Sequence, residues 1–89
     1  MEELLKSDYK VYVDVLEMRA KDGVITPLGF VWEDGRRYAV DGVTDIRKAA
    51  SLKAGGAGLR YTVKIAGNSR FMFLEEERGV RRWFMEKKG

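Results

Sequence analysis

Phe71 and Phe73 flank Met72 in a stretch that folds back on residues 59–65, which brings Thr62 and Lys64 beside them and Arg60 alongside. Aromatic rings interleaved with cations suit one chemistry: rings stack on bases while the cations neutralise phosphates, as in sheet-type single-strand binders. Turned inward in a barrel, the same rings would form a second core layer instead, because paired exposed phenylalanines are costly without a partner. Arg70 lies next to them in the chain. Upstream, Lys53 and the cluster Gly55-Gly56-Ala57-Gly58 lead into Arg60. Backbone N–H groups of such a loop can cradle a phosphate. These glycines precede a strand, whereas a P-loop follows one and opens a helix. A flexible connector using positive φ angles is the plainer account. The candidate nucleic-acid-binding residues are thus Lys53, Gly55 and Gly56 in the loop, with Arg60, Lys64, Arg70, Phe71 and Phe73 in the hairpin.

Other chemistries find little to work with. The chain has no histidine and no cysteine, which removes the usual general base near neutral pH, thiolate metal sites and disulfides. Glu75, Glu76 and Glu77 are adjacent, and neighbouring strand residues diverge, whereas a dedicated cation site needs ligands converging from several elements. Asp14, Asp41 and Asp45 are scattered, and a paired-carboxylate glycosidase needs a cleft that a small fold rarely offers. No metal, no cofactor and no enzymatic activity are expected. Arg81-Arg82-Trp83-Phe84 looks basic and aromatic, but it is better read as a final strand whose Trp83 closes the core.

Charge is unevenly spread. Residues 1–45 hold six Lys/Arg and ten Asp/Glu, a net of −4, while residues 46–89 hold eleven and four, a net of +7. A basic half attracts polyanions, although solvated strand faces also need charge. Met1 to Lys6 has neither a basic start nor a long apolar run, so no signal peptide is expected. No apolar run nears the ~20 residues of a membrane span. The expectation is a cytoplasmic protein without a membrane partner.

The elements that carry these residues follow from period-2 patterning and turn signals. Eighty-nine residues suit one domain, with 1–7 and 87–89 as loose ends. Val11, Val13 and Val15 alternate with Tyr12, Asp14 and Leu16, the pattern of a strand over about 9–20. A two-residue Asp22-Gly23 turn sets Val15 against Phe30 and Val13 against Trp32. Pro27, which cannot donate to a ladder, marks an edge or a bulge. A three-residue loop with left-handed Gly35 sets Phe30 against Tyr38 and Leu28 against Val40. The third strand then runs from Arg36 to about Val43, where Gly42 can bend it. Residues 44–58 break the pattern, as a short helix over 46–53 capped by Thr44 or Asp45, or as an irregular loop. A Gly67-Asn68 turn pairs Tyr61 with Leu74 and Val63 with Met72 on the core face. An acidic turn over 75–79 precedes a sixth strand over 80–85. Tyr38 and Trp32 are assigned to the core. The fold expected is all-β with at most one short helix: a six-stranded antiparallel small barrel or strongly bent sheet, SH3-like in size.

Pro27-Leu28-Gly29-Phe30-Val31-Trp32-Glu33-Asp34-Gly35-Arg36-Arg37-Tyr38, then Ala49 to Tyr61 and the terminal Trp83-Phe84 pair, resemble small proteins of anaerobic and other Gram-positive bacteria. These share P-L-x-F-x-W-x-D-G-R-x-Y and K-A-G-G-x-G-x-R-Y stretches, over most of residues 10–86. The resemblance implies a bacterial single-domain protein and transfers no functional residue. Two functions are compatible with the sequence. One is a non-enzymatic module binding single-stranded nucleic acid through its basic-aromatic face. The other is a protein-interaction or self-associating module using the free edges of its first and last strands.

Overall fold

The computed structural model describes residues 8–49 and 57–88. They form seven antiparallel strands: β1 (Asp8–Arg19), β2 (Ile25–Val31), β3 (Arg37–Ala39), β4 (Gly42–Lys48), β5 (Ala57–Ile65), β6 (Asn68–Glu77) and β7 (Val80–Lys88). The described residues hold no helix. The strands make one sheet in the order β3-β2-β1-β7-β6-β5-β4, curled into a half-barrel.

The turns follow the glycines. Gly35 takes a φ of +86° and closes a three-residue loop, with Trp32 N–H bonding to Arg36 O at 2.8 Å. Phe30 consequently faces Tyr38, as the pattern predicts. The first hairpin differs near its turn. Ala20 N–H bonds to Val24 O, so the loop is Lys21-Asp22-Gly23, three residues rather than two. Val15 still faces Phe30, because the ladder shifts between Leu16 and Glu17: Gly29 opposes Leu16 and Pro27 opposes Glu17, leaving Leu28 as the extra residue. The bulge sits beside the one residue that cannot donate to the ladder.

Several further predicted elements are corrected. The third strand breaks at Val40-Asp41 into β3, paired with β2, and β4, paired with β5. Residues 44–48 are therefore strand, not the start of a helix; Val43, Ile46 and Lys48 oppose Val63, Tyr61 and Leu59. A β partner thus overrides the helix signal over 46–48, while residues 50–53 of the predicted helix lie outside the described residues. The second correction is the β5–β6 turn, which is Ala66-Gly67, with φ of 50° and 82°. Both central residues are left-handed, as a type I′ turn requires. Asp41 holds it, its Oδ2 accepting the Ala66 N–H at 2.9 Å. Tyr61 then faces Met72 rather than Leu74. A shift of two preserves the side-chain faces, so the predicted core set survives.

The acidic run is likewise strand rather than turn: β6 continues to Glu77, and only Arg78-Gly79 turns. β7 extends beyond Met85 and pairs with both β6 and β1. β1 switches partner, pairing with β7 over Asp8–Val13 and with β2 over Asp14–Arg19. Where it leaves β7, Glu17 reaches back to accept Trp83 Nε1–H at 2.7 Å and Arg81 Nη2–H at 3.3 Å.

Inside the curl, Phe30, Tyr61, Val63, Met72, Leu74, Trp83 and Met85 form the core. Tyr61 crosses it to donate to Ile25 O at 2.5 Å, tying β5 to β2. Trp32 packs at the margin of this core, whereas Tyr38 is exposed and stacks on Phe30 at 5.3 Å. Tyr38 is therefore a lid over the core rather than a member of it.

Candidate nucleic-acid interface

Antiparallel registers align one outward-facing residue from each of five strands. Arg47 on β4 faces Arg60 on β5, Arg60 faces Phe73 on β6, Phe73 faces Phe84 on β7, and Phe84 faces Tyr12 on β1. The result is a row of cations and rings across the outer face of the sheet, perpendicular to the strands.

The rings have unequal exposure. Phe84 is 2% exposed although it points away from the core, because Phe73 stacks on it at 4.8 Å with ring planes 4° apart. Tyr12 meets Phe84 edge-on at 5.8 Å, and Phe71 meets Phe73 edge-on at 6.4 Å. Phe73 is half-buried, while Phe71 and Tyr12 are each 46% exposed. Phe73 and Phe84 are thus a floor, with an exposed ring on either side.

Cations lie on these rings. The guanidinium of Arg60 sits 4.5 Å from the Phe71 centroid, that of Arg82 4.6 Å from Tyr12, and Lys10 Nζ 4.6 Å from Phe84. Glu75, only 7% exposed, anchors two of them. Its carboxylate accepts from Lys10 at 3.0 Å, from the Tyr12 hydroxyl at 3.1 Å and from Arg82 at 3.1 Å. Burial alone would push the Glu75 carboxyl up. The hydrogen bonds from Lys10 and Tyr12, with the Lys10 and Arg82 charges, outweigh it and hold the group below the ordinary glutamate range. Burial likewise favours neutral Lys10, but the bond and charge of Glu75 raise it above the ordinary lysine range. Arg60 has no such anchor. Its Nε is buried without a hydrogen-bond partner among the described residues.

Of the residues singled out from sequence, Arg60, Lys64, Phe71 and Phe73 share this outer face: Arg60 opposes Phe73, Phe71 opposes Thr62 and Lys64 opposes Ser69. Arg70 does not join them. It opposes Val63, so its side chain belongs to the opposite face. Lys53, Gly55 and Gly56 lie outside the described residues. Sequence reasoning missed Tyr12, Lys10, Arg82 and Phe84. Alternation about Val11 and Val13 does put Tyr12 on the outer face, but only the non-local β1–β7–β6 pairing carries it to Phe73. The first and last strands pair with each other inside the sheet order, and the edges are β3 and β4.

Among the described residues no three carboxylates converge as a metal site, and no helix is long and apolar enough to cross a membrane. Compared with protein-family models, curated proteins and solved structures, the chain matches none.

Proposed function

We propose that this half-barrel is a small non-enzymatic module that binds single-stranded nucleic acid on its outer face. The observation that carries the reading is Arg60 laid over exposed Phe71, with its Nε lacking any hydrogen-bond partner among the described residues. An exposed ring can stack a base, and an unanchored guanidinium beside it can neutralise the adjoining phosphate. Lys64 on the same face adds an exposed charge to that of half-buried Arg60. Phe73 supports Phe71 from below rather than stacking a base itself. The same proposal sets the module in a bacterial cytoplasm, on the residue resemblance and the absence of cysteine alone.

Fluorescence anisotropy with short labelled DNA and RNA at about 50 and about 200 mM salt tests the reading. The expected result is micromolar or weaker binding. With about three or four phosphates neutralised, log affinity falls against log salt with a slope of about −2 to −3. Absent or salt-independent binding rejects it.

A protein partner adding a strand to an open edge is the second reading. It is favoured by β4, a seven-residue edge strand with Ile46 exposed. Self-association through that edge predicts a mass above the monomer in light scattering at high concentration.

A further inference from the structure

Arg47 and Arg60 are direct cross-strand neighbours on the outer face. Like charges so placed are destabilising unless something answers them. Asp45 answers Arg47 in part, its Oδ2 accepting the Arg47 Nε–H at 2.8 Å. Nothing among the described residues answers Arg60 by hydrogen bond or ion pair. Two guanidiniums with spare donors, about 5.5 Å apart at their Cα atoms, make a fork suited to one phosphate.

Two directions are open to a strand seated there. Along β5 and β6 it would meet Lys64 and a single exposed ring before reaching the Ala66-Gly67 turn. Across the sheet it meets Phe71 at one side, then Lys10 and Arg82 above the Phe73–Phe84 floor, then exposed Tyr12. Glu75 lies beside this path, but Lys10, Arg82 and the Tyr12 hydroxyl already engage its carboxylate. The crossing path therefore offers more cations and a second stacking ring.

We propose that the bound strand crosses the sheet from β4 to β1. Arg47 and Arg60 clamp one phosphate, Phe71 stacks the adjoining base, and Tyr12 stacks a base at the far end. The inference rests on the nucleic-acid reading above and adds the direction, the length and two new binding residues, Arg47 and Tyr12. Four strand spacings separate the ends, ~19 Å at ~4.8 Å each. At the ~3.4 Å rise of a stacked strand this spans about five or six nucleotides, and fewer if the strand is extended.

Labelled oligothymidylates of about two to about ten nucleotides, titrated into the full chain and its variants, provide the test. Circular dichroism first establishes that each variant is folded. Affinity should rise with length and level off near five or six nucleotides. R47A should weaken binding at every length and flatten the salt slope by about 0.7. Tyr12→Leu should weaken it about tenfold for long oligonucleotides and hardly at all for the shortest. Tyr12→Phe, which keeps the ring, should retain wild-type affinity. If Lys64→Ala weakens binding while R47A and Tyr12→Leu do not, the strand runs along β5–β6; the crossing path is overturned and the nucleic-acid reading stands. If the wild-type chain binds no oligonucleotide, both fall.

Discussion

Phe73 and Phe84, from adjacent strands, stack nearly parallel at 4.8 Å on the side of the sheet facing away from the main core. This pair makes the outer face a second, thin apolar layer. Burial should therefore grade the energetic roles of its rings. Phe84→Ala should destabilise by about 3–4 kcal/mol, Phe73→Ala by less, and Phe71→Ala by only about 0.5 kcal/mol, as at an ordinary surface position. Urea unfolding followed by tryptophan fluorescence measures all three. A Phe71→Ala cost equal to that of Phe84→Ala would assign Phe71 to the core.

Glu75 links acid and alkaline stability. Its carboxyl is held below the ordinary glutamate value, so its contribution is present above about pH 4.3 and fades as pH falls through the lower folded value. Lys10 is raised, so its contribution is present below about pH 10.4 and fades as pH rises through the raised value. The melting temperature should be flat between these limits and fall outside them. Glu75→Gln should lower stability near neutral pH by about 2 kcal/mol, from weakened charged hydrogen bonds. Its difference from wild type should shrink at both extremes. Parallel melting curves for the two proteins across the whole range would contradict this account.

Glu17 fills the gap where β1 parts from β7, and it serves two donors, Trp83 Nε1 and Arg81 Nη2. Glu17→Ala leaves a buried indole N–H without its acceptor and should destabilise by about 2 kcal/mol. Glu17→Gln keeps an oxygen for the indole and should lose less than half of that. Guanidinium denaturation of both variants makes the comparison, and equal losses would show that the indole bond contributes little.

Gly29 and Gly42 should respond oppositely to alanine. A Cβ at Gly29 would stand 3.0 Å from the Tyr38 carbonyl oxygen, whereas one at Gly42 meets nothing within 4 Å. Gly29→Ala should destabilise by about 1–3 kcal/mol by forcing β3 from β2. Gly42→Ala should be neutral or stabilise by about 0.4–1 kcal/mol through the unfolded state. Thermal melts of the two variants decide it; comparable losses would mean that β3 moves freely.

Local pattern carried much of the fold. Gly35 set the β2–β3 register, and alternation in Tyr61, Val63, Met72 and Leu74 identified one core face even though the turn lies one residue before the Gly67-Asn68 signal and the register shifts by two. That turn was hidden because alanine rarely takes a left-handed φ; Asp41, 25 residues upstream, holds Ala66 there. The split of β3 from β4 showed only as a slip in alternation, Val40 and Val43 both packing on the core although three residues apart, and a bend at Gly42 within one strand accounts for that slip equally well. In the candidate site, Arg60, Lys64, Phe71 and Phe73 were legible from one hairpin. Tyr12, Phe84, Lys10 and Arg82 were not, because they join through pairing of the first strand with the last. Glu75 illustrates the same limit: a run of three glutamates suggests solvent, yet its partners Lys10 and Tyr12 lie 65 and 63 residues away.

The central claim, that the outer face of β5 and β6 holds a nucleic-acid strand, is tested most directly by titrating an oligothymidylate into isotopically labelled protein and following each backbone amide by NMR. Shifts concentrated at Arg60, Thr62, Lys64, Phe71 and Phe73, with Val63 and Met72 little changed, are the predicted result. An unchanged spectrum at saturating oligonucleotide, or shifts confined to the inner face around Tyr38 and Arg70, would contradict it.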